Sequence, residues 1–177
     1  MSTIINGTSN AITFPDSSVQ NTSAIVSGYV PYANLPVGSV LQVVQGTTST
    51  NVTTTGTSFV DTGLTGTITP KFSTSKILVL VSNPVNFGGG ADTGSAFQIV
   101  RGSTAISTTG ATALYIYATT GGTLYNSSFV NMSFLDSPST TSATVYKLQM
   151  ASRTSGQITS AQTGSSPSTI TLMEIAA

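Results

Sequence analysis

The sequence predicts an all-β protein: an antiparallel β-sandwich, jelly-roll-like, preceded by an extended N-terminal arm. Three observations carry that expectation. Lys76 to Ser82, KILVLVS, is the densest apolar run, rich in β-branched residues and too short to span a membrane as a helix. From Gly38 onward, short apolar runs alternate with turn clusters at the spacing of a sandwich. No window of helical length carries a three-to-four-residue apolar period with helix-forming residues between.

Residues 1–36 differ from the remainder, which places a boundary between an arm with its linker (1–36) and a sandwich domain (37–177). Ile4-Ile5 and Ala11-Ile12 with Phe14 are apolar patches broken by the turn signals Asn6-Gly7 and Phe14-Pro15-Asp16-Ser17. They supply too little apolar surface for a core. The arm is therefore expected to gain order by strand pairing with a partner, the alternative being a frayed terminus. Tyr29 to Pro36, YVPYANLP, reads as a linker stiffened by Pro31 and Pro36.

Within the sandwich, strands are expected near 39–45, 57–62, 65–69, 76–82, 95–101, 113–118, 123–135, 143–151 and 169–175. Alternation fixes several faces. Val130, Met132 and Phe134 face the core, as do Tyr146, Leu148 and Met150, with Lys147 and Gln149 outward. Asp136-Ser137-Pro138-Ser139 between these runs reads as a turn, making them a hairpin or neighbouring strands. In the last strand Ile170 and Leu172 oppose Thr171 and Met173.

KILVLVS has no polar face. Ile77, Val79 and Val81 point one way and Leu78 and Leu80 the other, so both sides should be covered. One covering is the opposite sheet. The other is expected to be a neighbouring subunit, met through Leu78 and Leu80 or through Ile77 and Val79.

Composition excludes several functions. Charged residues make up 6% of the chain, five basic against five acidic, leaving no electrostatic footprint for nucleic acid or an anionic membrane. No apolar run reaches membrane-spanning length, and MSTIINGTSN has neither the basic start nor the apolar core of a secretory signal. Hydrophobic residues at 38% suffice for a core, while serine and threonine, about a third of the chain, give an uncharged surface. With no cysteine and no histidine, the usual nucleophile–base pairs and transition-metal sites lack their parts. No cofactor and no metal are expected.

Of the carboxylates, Asp16, Asp61, Asp92 and Asp136 sit in turn-like contexts where aspartate caps backbone, so a glycosidase-type pair is not expected. Phe87-Gly88-Gly89-Gly90 lacks the lysine and following helix of a phosphate loop and reads as a mobile loop at a sandwich end. Tyr115 and Tyr117 point away from Leu114 and Ile116, and Tyr125 follows Gly121-Gly122. These three tyrosines are the candidate ligand-binding surface, suited to sugar rings or a protein partner; the alternative is that they cover a sheet or a subunit contact.

Three stretches together carry a resemblance: ITFPDSSVQNTSA at Ile12 to Ala24, the segment from Leu41 through Ser82 with FQIVRGSTAI after it, and FVNMSFLDSPSTTSATVYKLQM with the closing STITLMEIAA. In this order they resemble the tail-fibre-like virion structural proteins of aquatic, cyanophage-type bacteriophages, which end in a β-sandwich module. Ser17-Ser18 departs from the usual Asp-Gly-type turn of the first motif. The matched residues (Phe14, Pro15, Asp16, Lys76, Asp136, Pro138, Glu174) are structural, and no catalytic residue is carried over.

The resemblance implies a homotrimer on the virion, assembled in the host cytoplasm. It implies attachment to other virion proteins, tail or capsid, and trimerisation through an arm centred on Ile12, Phe14, Pro15 and Asp16, with a sandwich offered to a host-surface glycan or protein. A capsid decoration or cement protein of the same repertoire is the alternative. Neither reading is an enzyme.

Overall fold

The computed structural model describes residues 31–119 and 121–177, together with the backbone of strands β1 (Ile4–Asn6), β2 (Ala11–Thr13) and β3 (Val19–Asn21). The chain divides into two compact units, Met1–Ser39 and Val40–Ala177. In the first unit the three short strands form an antiparallel sheet in sequence order, with Ile12 between Ile5 and Gln20. The apolar patches foreseen as partner-seeking thus pair with each other. At the end of this unit the prolines of the linker frame a 3-10 turn, Tyr32–Asn34, closed by the Asn34 amide donating to the Pro31 carbonyl at 2.9 Å.

The second unit holds two antiparallel sheets. Its strands are β4 (Val40–Thr48), β5 (Val52–Thr54), β6 (Val60–Ile68), β7 (Lys76–Gly90), β8 (Asp92–Arg101), β9 (Thr104–Thr108), β10 (Leu114–Tyr117), β11 (Leu124–Asp136), β12 (Thr144–Ser152), β13 (Ile158–Ala161) and β14 (Ser168–Ile175). In the sheet built on β7, β11 lies along one edge; β14 and β13 share the other, followed by β4 and β5. In the sheet built on β8, β12 and then β6 lie on one side and β9 and β10 share the other.

The pairing has a simple logic. β4 pairs with β14, β6 with β12, β7 with β11, and β8 with β9 and β10, so the pairs nest about the turn at Gly102. Successive pairs fall in alternate sheets, which is the jelly-roll arrangement of a long antiparallel ribbon rolled into a sandwich. The fold class read from the sequence is therefore the one the chain adopts.

The core follows from the alternation. Ile77, Val79 and Val81 of β7 and Ile170 and Leu172 of β14 face Phe97 and Ile99 of β8 and Tyr146, Leu148 and Met150 of β12. Burying one such side chain contributes about 1.5–3 kcal/mol. This settles the two choices for KILVLVS: the Ile77–Val79–Val81 face is the inner one. A buried carboxamide, Gln162, fills a polar niche beside this core, its oxygen accepting from Ser168 Oγ and its nitrogen facing the Thr50 and Thr62 carbonyls at 3.0 and 3.2 Å.

Four expectations are corrected. First, β7 runs on to Gly90, so Phe87-Gly88-Gly89-Gly90 is strand rather than a mobile loop. A Cβ on Gly88 would lie 2.3 Å from the Leu124 carbonyl oxygen, so the glycine lets β11 bulge against it. Pro84 is tolerated mid-strand because it falls in the gap between the β14 partner of Ser82 and the β13 partner of Val85. Second, β11 and β12 form no hairpin; the 137–143 connection crosses from one sheet to the other. Third, 57–62 and 65–69 are one strand, β6, continuous through Gly63 at φ +81°. Fourth, Asp61 and Asp92 lie in strands, and Asp136 ends one.

Candidate functional site

Each acidic side chain among the described residues ties one part of the sandwich to another. Asp136, buried at the end of β11, accepts from one guanidinium nitrogen of Arg101 at 2.9 and 2.8 Å and from the Tyr146 hydroxyl at 2.7 Å. Burial, and then the bond to that carboxylate, push the Tyr146 hydroxyl's pKa upward, keeping it a donor. Glu174 is fully buried and accepts the Lys71 amide at 2.6 Å and Gln42 Nε2 at 2.5 Å, pinning the segment before β7 to the last strand. Asp61 accepts from Lys147 Nζ at 2.9 Å and Gln149 Nε2 at 2.6 Å. Burial opposes its charge, yet these partners outweigh it and hold the carboxyl below its ordinary value. Asp92 is ion-paired with Arg153.

Chemically, these are cross-links between strands. Among the described residues no three acidic side chains cluster as a metal site would require. Asp16 lies outside the described residues.

The outer face of the β7 sheet is a different kind of surface. Leu78 stands opposite Met173 of β14 on one side and Leu135 of β11 on the other, and Met173 stands opposite Val43 of β4. Val43, Met173, Leu78 and Leu135 thus form an apolar row across four neighbouring strands. Leu80, one step along, is 38% exposed between Thr171 and Ser133. The sequence places Leu78 and Leu80 on this side by alternation. The partners of Leu78 in the row lie 35 to 95 residues away in sequence, a register no local pattern reveals.

The tyrosines separate into two places. Tyr115 and Tyr117 project from β10 on the outer side of the β8 sheet, opposite Gly94 and Asp92. Arg153 lies over the Tyr115 ring, 4.6 Å from its centroid, and links it to Asp92, leaving Tyr117 as the more open ring at 62% exposure. Tyr125 is on β11 of the other sheet, beside Gly88. The structure therefore joins Tyr115 to Arg153 and through it to Asp92, a grouping the sequence did not suggest, sets Tyr117 opposite Asp92, and assigns Tyr125 to the opposite sheet. Of the attachment residues, Ile12 lies in β2, and Phe14, Pro15 and Asp16 lie outside the described residues.

These features define an antiparallel jelly-roll sandwich with apolar and aromatic outer surfaces. No family model and no curated protein matches the chain. A solved structure it is similar to is that of T=1 particles derived from infectious bursal virus, at 15% identity and a TM-score of 0.35. The match covers 86% of this chain and 41% of that one, and at this TM-score it carries no weight for function or assembly.

Proposed function

We propose that the protein is a virion structural protein, a homotrimeric surface appendage of tail-fibre type. Residues 1–36 attach it to the particle and the sandwich of 37–177 is presented to the host surface. The observation that carries this reading is the apolar row Val43–Met173–Leu78–Leu135 with Leu80 beside it. A lone domain would leave this row in water, and a subunit contact through Leu78 and Leu80 buries it. The likeness of the 12–24, 41–82 and 129–150 segments to tail-fibre-like proteins supports the same reading, as does the uncharged, serine- and threonine-rich surface.

Light scattering on the purified protein is expected to give three times the 18.0 kDa chain mass. Deleting residues 1–36 is expected to abolish incorporation into particles. A monomer, together with unimpaired incorporation of the truncated chain, would overturn the proposal.

A capsid decoration protein is the second reading, favoured by one observation: β4 begins at Val40, directly after the first unit, with no shaft between. Copy number per particle separates the two. Hundreds indicate decoration and a few tens or fewer an appendage.

A further inference from the structure

The two sides of the sandwich are finished differently. On one side β4 and β6 close it, brought so near that a Cβ on Gly46 would fall 1.9 Å from the Thr65 carbonyl oxygen. On the other side β11 is a 13-residue edge strand, hydrogen-bonded to β7 along its length. Its second edge pairs with no strand among the described residues. Between that edge and the β9–β10 side of the other sheet lies a slot of about 140 Å³, reaching Phe97, Leu114, Val130 and Met132.

Exposed edges are ordinarily guarded by lysine, proline or inward-pointing charges, because an unguarded row of amides and carbonyls recruits another strand. From Leu124 to Leu135 the sequence LYNSSFVNMSFL contains none of these, and the one charge on the strand, the buried Asp136, stands at its last position and is paired with Arg101. It also carries large apolar side chains into solvent: Phe129 is 62% exposed and Leu135 49%.

The sequence of this edge is complementary to itself. In an antiparallel pairing about a two-fold axis at Asn131, Phe129 of one copy stands opposite Ser133 of the other, and Leu135 opposite Ser127. On the inner face Phe134 meets Ser128, and Val130 meets Met132. Large residues meet small ones in three of these four pairs, and the fourth is the medium-sized Val130–Met132 pair. Centring on Val130 instead sets Tyr125 against Leu135 and Ser127 against Ser133. Centring on Met132 sets Phe129 against Leu135. Of these three registers the Asn131 one fills space evenly on both faces, and it opposes no like charges.

We propose that β11 is a docking edge for a second copy of this chain, pairing β11 with β11 about a two-fold axis at Asn131 so that the β7 sheet continues from one copy into the next. Such a contact is isologous, using the same patch on both subunits. It runs along the strand edge and adjoins the face contact proposed for Leu78 and Leu80 only at Leu135, and it would join two appendages rather than build one.

The chain has no cysteine, so a single introduced thiol reports the register directly. In Asn131→Cys the two thiols face each other across the axis, with Cα atoms about 4.5–5.5 Å apart in such a pair, inside the disulfide range of about 4.4–6.8 Å. In Ser127→Cys the two positions lie eight residues apart along the paired strands, roughly 27 Å. Mild oxidation of the full-length protein is expected to convert Asn131→Cys to a covalent dimer on non-reducing electrophoresis and to leave Ser127→Cys unlinked. Adding Leu80→Asp should leave the Asn131→Cys cross-link unchanged, which separates this contact from the face contact. As a second readout, Asn131→Lys and Asn131→Glu should each lose this association, and an equimolar mixture should regain it, which also shows that both variants fold. Equal cross-linking of the two cysteine variants, no cross-linking of either, or a mixture that stays unassociated would overturn the proposal.

Discussion

The Tyr146 hydroxyl donates to Asp136 Oδ2 at 2.7 Å, joining β12 of one sheet to β11 of the other. Tyr146 is fully buried, and Arg101 donates to both oxygens of the same carboxylate. Tyr146→Phe keeps the ring's packing and removes only the donor. A hydrogen bond to a charged group contributes about 1.5–3 kcal/mol, so urea unfolding at pH 8 is expected to show a loss of that size. Asp136→Ala should cost more, since it strands two partners at once. No loss in the Tyr146→Phe variant would mean that the sheets are not held together here.

The same bond has a pH signature. Tyr146 ionises less readily folded than unfolded, where tyrosine titrates near about pH 10. Its stabilisation is complete below that value and is lost as pH rises toward the folded pKa. Tyr146→Phe lacks the loss. Unfolding midpoints of the native and variant proteins should therefore begin to draw together as pH rises above about 10, and parallel curves would count against the bond's role.

Gly46 marks where β4 and β6 touch. Because an added Cβ would enter the Thr65 carbonyl, Gly46→Ala must force the strands apart. Overpacking of this kind costs about 1–3 kcal/mol. Gly121 has open space around it, so Gly121→Ala should be neutral by comparison. Thermal unfolding of the two variants side by side provides the measurement.

How much of this was legible in the sequence depends on whether the information is local. Alternation along Val130–Phe134, Tyr146–Met150 and Ile170–Leu172 identified the inner faces, because burial contrast repeats every second residue. β5, β9 and β13 were missed: VTT, TAIST and ITSA are mostly threonine, serine and alanine and carry little such contrast. Pairing was the other blind spot. Asp136-Ser137-Pro138-Ser139 has the chemistry of a tight turn, yet the chain there crosses between sheets, since β11 is claimed by β7 and β12 by β8. The Arg153–Tyr115–Asp92 group was hidden for the same reason, its members lying up to 61 residues apart.

Leu80→Asp tests the face contact more cleanly than the sequence alone would suggest. With Leu80 at 38% exposure on the outer side, a carboxylate there remains in water within the monomer. The variant is expected to fold with a melting temperature set by the isolated domain and to run as a monomer by light scattering. Val79→Asp, in the core, should fail to fold. A Leu80→Asp protein that stayed trimeric would remove the apolar row from the assembly.

Tyr117 offers the last test, because its ring is open while the Tyr115 ring lies under Arg153. Removing a largely exposed side chain changes stability by less than about 0.5 kcal/mol. A stacking contact with a sugar ring or a partner protein, in contrast, would be lost outright. Tyr117→Ala is therefore expected to leave the thermal midpoint in place and to reduce adsorption of the purified protein to host cells several-fold. Tyr125→Ala, on the opposite sheet, should adsorb normally if the β10 tyrosines form the contact. Equal losses from both variants would spread the contact over two sheets, and no loss from Tyr117→Ala would remove this tyrosine from the host-facing surface.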